Sequence, residues 1–330
     1  MNYEILIIGA GISGVLAAKH LTDAGYHVAV LEKSRGTGGR MATRRQGDLR
    51  FDHGAQFITV RRPEFREVMD TLREAGKVST WCQGFGELGN EAKPDGHPRY
   101  CGSEGMSRIV RHLADGLQIH FSTRAQKITS QGSHWKVTTD DDREFTSQAL
   151  LLSSPLPQTL ELLKADPVGE ELQRKIGHIE YDRCFALLLE IEPGFQLPEP
   201  GGFSVSTSPI EWIANNNAKG INPNQKTMAI TVHSTPKFAE THWEQPLDNA
   251  KAALTEATRQ LLPAAQIIQA SVHRWGFSKP RQVYPERYLG IPGTAPLALC
   301  GDAFGGPKVE GAALSGLAAA AWLKAIYQPS

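Results

Sequence analysis

The sequence has few cysteines and no net charge, and both features exclude classes of protein. Among 330 residues there are four cysteines, with no CxxC pair and no spacing typical of a zinc site. We expect four reduced and mostly buried thiols, which suits a cytoplasmic protein. Equal numbers of basic and acidic residues, 35 of each, predict neither nucleic acid nor an acidic membrane surface as a partner.

Long apolar runs are missing too. The N-terminus has no basic region ahead of its apolar stretch, as a signal peptide would have. The Ala-rich run 311–326 is shorter than the roughly 20 apolar residues of a membrane span, and Glu310 and Lys324 bracket it. We therefore expect no transmembrane helix and no membrane partner.

The common catalytic signatures are also absent. There is no Ser-His-Asp order, no HExxH motif and no evident carboxylate pair. We therefore name no catalytic acid or base and no metal ligand. With 40% hydrophobic and 21% charged residues, the chain is typical of a globular protein of about two domains.

A recognisable pattern begins at residue 4. Residues 4–8 form an apolar, β-branched run, as in a strand buried on both faces, and lead directly into Gly9-Ala10-Gly11-Ile12-Ser13-Gly14. Residues 15–24 predict a helix that Gly25 ends, and residues 26–31 predict a second strand that ends at Glu32. This order is that of a Rossmann-type βαβ unit.

Each glycine of this loop, and the acid that follows the second strand, has a physical role. Gly9 permits the tight turn, Gly11 lets the backbone approach a pyrophosphate, and Gly14 lets helix and strand pack closely. The helix N-terminus offers N–H groups and a positive dipole end to the phosphates, and Glu32 can accept hydrogen bonds from a ribose. The predicted dinucleotide site comprises Gly9, Gly11, Ile12, Ser13, Gly14 and Glu32.

A second glycine-rich loop directly after the acid favours FAD over NAD. In Lys33-Ser34-Arg35-Gly36-Thr37-Gly38-Gly39-Arg40-Met41, the glycines allow the backbone to approach a longer ligand again. Arg40 can neutralise a pyrophosphate by a forked contact. We add Lys33, Gly39 and Arg40 to the predicted FAD site.

The far end of the chain resembles the second FAD motif of the glutathione-reductase and amine-oxidase type. Residues 296–299 predict a strand, Cys300-Gly301-Asp302 follows, and residues 311–326 predict a helix. The resemblance assigns Asp302 to the ribityl and phosphate region, and Val309 and Ala312 to the flavin edge, where the helix dipole stabilises negative charge on reduced flavin. Cys300 would lie near the ribityl end, away from the 8α-methyl edge, so we expect non-covalent FAD.

If both ends of the chain bind one FAD, the FAD domain is discontinuous. The predicted fold is α/β, with a Rossmann-type FAD-binding domain of residues 1–56, 100–157 and 277–330. Residues 57–99 and 158–276 would form a second, α+β substrate domain of the amine-oxidase-like type. Predicted strands lie at 117–121, 135–139, 149–153, 185–191 and 228–233, and a predicted helix at 247–262.

Three further segments resemble renalases, a branch of the amine-oxidase-like flavoproteins. They are Asp52-His53-Gly54-Ala55-Gln56-Phe57-Ile58-Thr59, Gly105-Met106-Ser107-Arg108-Ile109 and Tyr181-Asp182-Arg183-Cys184-Phe185-Ala186-Leu187. Within the first segment, Gln56 and Phe57 are expected at the cofactor. The run Gly306-Pro307-Lys308-Val309-Glu310 matches no flavin-contact pattern.

The renalase resemblance implies a specific reaction. Renalases oxidise 2- and 6-dihydro isomers of NAD(P)H to NAD(P)+, with hydride transfer to FAD N5 and reoxidation by dioxygen to give hydrogen peroxide. Such a transfer needs positioning and no general base, which suits the missing catalytic signatures. A flavin amine oxidase, a non-redox FAD-binding protein, and an oxidase or desaturase of another substrate remain alternatives.

Phosphates of a dinucleotide substrate call for cations. Arg61 and Arg62 follow the first renalase-like segment, and His97 and Arg99 lie in a loop rich in Pro and Gly. Trp275 precedes the return to the FAD domain and is expected to line the substrate face or to pack in the core. The candidate substrate residues are Phe57, Thr59, Arg61, His97, Arg99 and Trp275.

Overall fold

The computed structural model describes residues 1–90 and 93–327. The helices are α1 Ile12–Asp23, α2 Pro63–Glu74, α3 Met106–Leu113, α4 Leu156–Leu163, α5 Pro167–Ile176, α6 Pro236–His242, α7 Leu247–Leu261, α8 Asp302–Gly305 and α9 Val309–Ile326. The strands are β1 Asn2–Ile8, β2 Val28–Leu31, β3 Thr43–Gln46, β4 Leu49–Asp52, β5 Val78–Cys82, β6 Gly86–Glu87, β7 Arg99–Gly102, β8 Ile119–His120, β9 Ala125–Ser130, β10 Trp135–Thr139, β11 Glu144–Leu152, β12 Tyr181–Ile191, β13 Gly202–Ser204, β14 Ile210–Asn215, β15 Met228–Ser234, β16 Ile267–Pro280, β17 Leu289–Ile291 and β18 Leu297–Leu299.

The chain folds as two compact units, each made of separate stretches of sequence. Unit 1 contains residues Met1–Gly39, Val110–Glu180 and Lys279–Ser330. Unit 2 contains residues Arg40–Ile109 and Tyr181–Ser278.

Unit 1 is built on a mainly parallel sheet in the order β17-β18-β11-β1-β2-β8. β1 pairs in parallel with β11 on one side and β2 on the other, and β18 pairs in parallel with β11. The central strand is buried on both faces, which explains its continuous apolar sequence. The βαβ unit and the late strand thus share one sheet, which confirms the predicted Rossmann-type fold.

Helix α9 packs on helix α1 inside unit 1. The Ser13 hydroxyl donates to the Ala312 carbonyl over 2.7 Å. A Cβ atom on Gly316 would lie 2.2 Å from the Ser13 carbonyl oxygen, so only glycine allows this approach. By length and composition α9 could span a membrane, although half of it is buried in the protein. That burial is what the core helix of a Rossmann unit requires.

Unit 2 contains a mostly antiparallel sheet in the order β16-β12-β15-β14-β13-β6. On one face, α6 and α7 bury a core that includes Phe185, Ile213 and Leu254. On the other face, the β3–β4 hairpin places Leu49 and Phe51 against β12 and β15. Strands β5 and β7 form a separate pair.

The predicted elements are confirmed, with shifts at their ends. The strand at 149–153 begins earlier, at Glu144, and the strand at 117–121 is only the pair Ile119–His120. Helix α1 begins three residues before the predicted start, directly after Gly11. The four cysteines are free, and all but Cys82 are buried.

The unit boundaries differ from the predicted 56, 100 and 157. Residues 40–56 lie in unit 2 because the β3–β4 hairpin packs on its sheet. Residues 100–109 lie there because β7 pairs with β5. Residues 158–180 lie in unit 1, where α4 packs on β9 and the Asp166 carboxylate accepts hydrogen bonds from Ser130.

Candidate functional site

The first glycine loop of unit 1 is shaped by close backbone contacts. Gly9 has a φ of 105°, and its N–H donates to the Leu31 carbonyl over 2.9 Å. A Cβ atom on Gly14 would lie 2.1 Å from the Gly9 carbonyl oxygen. Both glycines are therefore required by the turn itself.

Gly11 is different, because its backbone is ordinary and its surroundings are open. It is the N-cap of α1, with φ −75° and ψ 175°, and a Cβ atom there would meet no atom of the described protein within 4 Å. Within the described residues no side chain caps this helix. The open space and uncapped N–H groups match the approach of a pyrophosphate to the helix N-terminus.

Glu32 is buried, with 6% exposure, and its carboxylate joins the two glycine loops. Its Oε2 accepts from the Ala10 N–H over 2.8 Å and its Oε1 from the Ser34 N–H over 2.7 Å. Each oxygen keeps acceptor capacity for a ribose hydroxyl. Lys33 is exposed, and its ammonium donates to Gln158 over 3.2 Å.

The second glycine loop lies beside the first. The Gly38 N–H donates to the Ala10 carbonyl over 3.0 Å, and a Cβ atom on Gly39 would lie 3.4 Å from the Cα atom of Gly11. The two loops thus form one continuous backbone surface in unit 1. This arrangement suits a ligand that is longer than one phosphate site.

The C-terminal motif reaches the same unit. Asp302 is buried and begins α8, and Gly301, with a φ of 136°, donates its N–H to the Ser315 hydroxyl over 2.9 Å. Val309 begins α9, whose first turn contains Ala312, the hydrogen-bond partner of Ser13. The structure therefore brings Ser13 and Ala312 together, as the predicted FAD site requires.

Gly11 offers a test that separates ligand binding from folding. In Gly11→Ala the dissociation constant of FAD should rise at least about tenfold, since the methyl group occupies the space for the pyrophosphate. The ligand-free protein should lose only about 1 kcal/mol, the cost of a poorer N-cap. Both quantities are measured by flavin fluorescence titration and urea unfolding.

The matched control is Gly36→Ala. A Cβ atom at Gly36 also meets no protein atom within 4 Å, and Gly36 lies in the second loop. This variant should bind FAD as the wild type does. Equal loss of FAD affinity in both variants, or none in Gly11→Ala, would contradict the assignment.

In unit 2, side chains from across the sheet hold the backbone of Asp52 and His53. The Asp52 carbonyl accepts from the hydroxyl of Thr231 over 3.0 Å, and the Asp52 N–H donates to Asn216 over 3.1 Å. The His53 carbonyl accepts from the indole N–H of Trp275 over 2.7 Å. The renalase-like segment is therefore fixed by side chains from β14, β15 and β16 and their connections.

Uncharged rings gather around His53. Its ring lies 4.8 Å from that of His273 and stacks on Trp275 at 5.2 Å, and His233 Nε2 lies 3.1 Å from the His53 carbonyl. Burial, with the charges of His273 and Arg44, lowers the pKa of His53 to about 3, and burial lowers the pKa of His233 to about 4. Burial also lowers the pKa of His273. We call His53, His233, His273 and Trp275 the imidazole cluster.

The low pKa of His53 predicts an acid-sensitive fold. The unfolded chain binds a proton at this residue below about pH 6.5, whereas the folded chain does not until about pH 3. The contribution of neutral His53 to the free energy of unfolding is therefore fully present above about pH 6.5 and is lost as the pH falls below that value. Between pH 7 and pH 5 the titration of His53 should lower the free energy of unfolding by about 2 kcal/mol.

Urea unfolding at pH 7, 6 and 5 measures this loss. His53→Leu removes the titrating group and should flatten the pH dependence by about that amount. His178→Gln, at an exposed histidine, is the control and should leave the dependence unchanged. An unaltered slope in His53→Leu would mean that other groups cause the acid sensitivity.

A second group of rings surrounds Phe57. We call Phe57, Trp81, Phe85 and Trp212 the ring cluster: Phe85 lies 4.9 Å from each of the other three, and Phe57 lies 5.9 Å from Trp212. The Arg99 guanidinium lies 5.7 Å from the centroids of both Phe57 and Phe85. The structure thus brings together Phe57 and Arg99, which the sequence analysis named separately.

Arg99 is not a free cation, however. Its guanidinium binds both carboxylate oxygens of Asp95, over 3.0 and 2.5 Å, and donates to the His97 carbonyl. The hydrogen bonds from Arg99, with one from the His97 N–H, lower the pKa of Asp95 to about 2. His97 therefore contributes its backbone, and the positive charge of Arg99 is compensated within its own loop.

The remaining predicted residues of unit 2 are spread over several places. Thr59 follows Ile58, which pairs with Tyr100 beside Arg99. Arg61 is exposed just before α2. Arg40 donates to the Phe277 carbonyl over 3.4 Å and lies 5.9 Å from the Tyr181 ring.

Sequence reasoning missed several residues of both clusters. His233 lies in a strand predicted as apolar, His273 lies in β16, for which no strand was predicted, and Trp81, Phe85 and Trp212 carry no motif. Trp212 lies opposite His233 across β14 and β15, but neither strand alternates between buried and exposed positions, so the sequence carried no signal for this pair. Lys219, in the connection between β14 and β15, was also missed although its side chain is fully buried.

Comparison with known families agrees with this architecture. Residues 7–74 match the model of the NAD(P)-binding Rossmann-like domain, and residues 82–323 match the model of the flavin containing amine oxidoreductases. The chain belongs to the flavin-containing amine oxidoreductase family. This family contains flavin, which implies that the glycine loops of unit 1 bind FAD.

Individual relatives extend the comparison. The renalase of Mus musculus is 23% identical over 97% of this chain and 98% of its own length. A phytoene desaturase of Cercospora nicotianae is 35% identical over 24% of this chain and 13% of its own length. A putrescine oxidase solved with bound putrescine has the same fold, with a TM-score of 0.74 at 15% identity over 98% of this chain and 99% of that one.

Proposed function

We propose that this flavoprotein oxidises 2- and 6-dihydro isomers of NAD(P)H to NAD(P)+. Bound FAD would supply the hydride acceptor at N5 and pass the electrons to dioxygen, with hydrogen peroxide as the product. The observation that carries the proposal is the uncharged imidazole cluster at His53, inside the segment that resembles renalases. Likeness to a renalase along nearly the whole chain supports it.

The protein's own residues have limited chemical work in this reaction. A dihydropyridine that loses a hydride becomes an aromatic cation and has no proton to give up, so positioning suffices. His53 and His233, with pKa values of about 3 and 4, stay neutral from pH 6 to 9. In this proposal the imidazole cluster orients a flat substrate and excludes water.

In this proposal the ring cluster also contacts the substrate. The chain's own cations already lie over the rings, Arg99 over Phe57 and Phe85, and Lys219 over Trp81. Both charges are compensated by carboxylates, Arg99 by Asp95 and Lys219 by Asp52, so the cluster offers a flat aromatic surface without net charge. A dinucleotide carries phosphates, for which exposed Arg61 is the proposed partner.

Amine oxidation is the second candidate. The family match and the likeness of fold to a putrescine oxidase favour it. The two reactions differ in their dependence on pH, because an amine must lose a proton before a hydride can leave.

Anaerobic stopped-flow mixing separates the candidates. The mixture of dihydro isomers made by borohydride treatment of NAD+ should bleach the flavin within seconds, and the rate should vary less than about threefold from pH 6 to 9. Putrescine and benzylamine serve as the comparison substrates. Bleaching by amines alone, or a tenfold rise in rate per pH unit, would sink the proposal; no bleaching by any substrate would favour a non-redox flavin.

We further propose that FAD is bound without a covalent link. Cys300, the cysteine next to Gly301 and Asp302, is buried, and burial raises the pKa of its thiol, so it is a poor nucleophile. Acid precipitation of the purified protein should leave all the yellow colour in the supernatant. Colour that stays in the pellet would contradict this prediction.

A further inference from the structure

Lys219 is a fully buried lysine that neither the family match nor the proposed reaction explains. Its side chain has 0% exposure, and it lies in the connection between β14 and β15. This connection is held in place: Asn217 donates to the Thr227 carbonyl over 2.9 Å, and Asn222 donates to the Arg50 carbonyl over 2.9 Å. Lysine is almost never buried without a partner, so the contacts of its ammonium are informative.

The ammonium contacts Gln56, Asp52 and Trp81 in unit 2. Gln56 Oε1 is the nearest, at 2.7 Å, and Asp52 Oδ2 is farther, at 3.4 Å. The Trp81 ring centroid lies 4.9 Å away. A lysine present only to neutralise Asp52 would make its shortest contact with the carboxylate, so the preference for Gln56 points to another role.

Gln56 depends on Lys219 for its last hydrogen bond. The Gln56 amide donates to the carbonyls of Asp52 and Gly54, over 2.6 and 3.0 Å. Its Oε1 is then buried and needs a donor, which Lys219 supplies. Both ends of this side chain are thus held by hydrogen bonds, one residue before Phe57.

Trp81 is the second point of support. Its indole N–H donates to the Pro200 carbonyl over 2.7 Å, and its ring packs edge-on against Phe85 at 4.9 Å. The Lys219 ammonium, which also donates to Gln56, makes a cation–π contact with this ring. Lys219 therefore contacts the ring cluster directly at Trp81 and reaches it through Gln56 at Phe57.

We propose that Lys219 is a positioning residue that fixes the ring cluster as a wall for the substrate. Its ammonium bridges Gln56 and the Trp81 ring and so sets the spacing between Phe57 and Phe85. This role rests on the proposed function, in which the ring cluster contacts a dihydro-NAD(P) isomer. Neutralising Asp52 is then a second duty of the same charge.

Two variants separate these duties. Lys219→Met keeps an unbranched side chain that is one atom shorter and removes both the charge and the donor, which leaves the Asp52 carboxylate buried without its cation. The double variant D52N/K219M removes both charges, so it should recover stability but not the support of Gln56 and Trp81. Lys226→Met, at an exposed lysine of the same connection, is the matched control.

The measurements are the melting temperature, and KM and kcat for the borohydride mixture at saturating FAD. In K219M and in D52N/K219M, KM should rise at least tenfold while kcat stays within threefold, and only the double variant should regain the melting temperature. If K219M does not fold, the double variant alone carries the test. A wild-type KM in D52N/K219M would overturn the proposal, because Lys219 would then serve only to neutralise Asp52.

Near-ultraviolet circular dichroism separates a failure of this proposal from a failure of the proposed function. The spectrum sums the contributions of all aromatic side chains, Trp81 and its neighbours among them, and needs no substrate; the difference between the variants and Lys226→Met isolates the effect of Lys219. If the wild-type flavin is not reduced by the dihydro isomers, the substrate assignment fails, and the spectrum still decides the role of Lys219. An altered spectrum in both K219M and D52N/K219M supports the positioning role, and a wild-type spectrum in both overturns it.

Discussion

The buried carboxylate of Asp52 is the constraint around which unit 2 is organised. Its side chain has 0% exposure, and a buried anion is tolerated only when it is paired and fully hydrogen-bonded. Oδ1 accepts from the Thr43 hydroxyl over 2.6 Å and from the Met106 N–H over 2.9 Å, while Oδ2 faces Lys219. These partners belong to β3, α3 and the β14–β15 connection, so one charge requires distant segments to meet.

The same residue fixes the segment that follows it. The Asp52 carbonyl accepts from Gln56 and Thr231, and the His53 carbonyl accepts from Trp275. A shift of this backbone would break those hydrogen bonds and would leave the buried carboxylate with fewer partners. The loss of a partner by a buried polar group lowers the free energy of unfolding. The imidazole and ring clusters therefore lie next to a backbone that is held by hydrogen bonds, which suits their proposed role in positioning a substrate.

Unit 1 could be predicted from the sequence in more detail than unit 2, because its determinants are local. Close spacing along the chain defined the glycine loops, and continuous apolar runs defined the parallel strands. In unit 2 the first strand of the β3–β4 hairpin has the polar sequence Thr43–Gln46, so no alternation of apolar and polar residues predicted it. For this reason the predicted boundary at residue 56 differs from the observed one, which follows Gly39. Lys219 could not be predicted either, since a lysine is expected at the surface unless the fold surrounds it with partners.

The low pKa values of the imidazole cluster limit the chemistry of unit 2. A general base that works near neutral pH needs a pKa near 7, and His53 and His233 lie about 4 and 3 units below that value. They can donate or accept hydrogen bonds, but they cannot retain a proton taken from a substrate. Oxidation of an alkylammonium would therefore need solvent or another group to remove its proton, whereas hydride loss from a dihydropyridine needs neither. Burial packs these rings together and also keeps them neutral, and neutral rings suit a reaction without proton transfer.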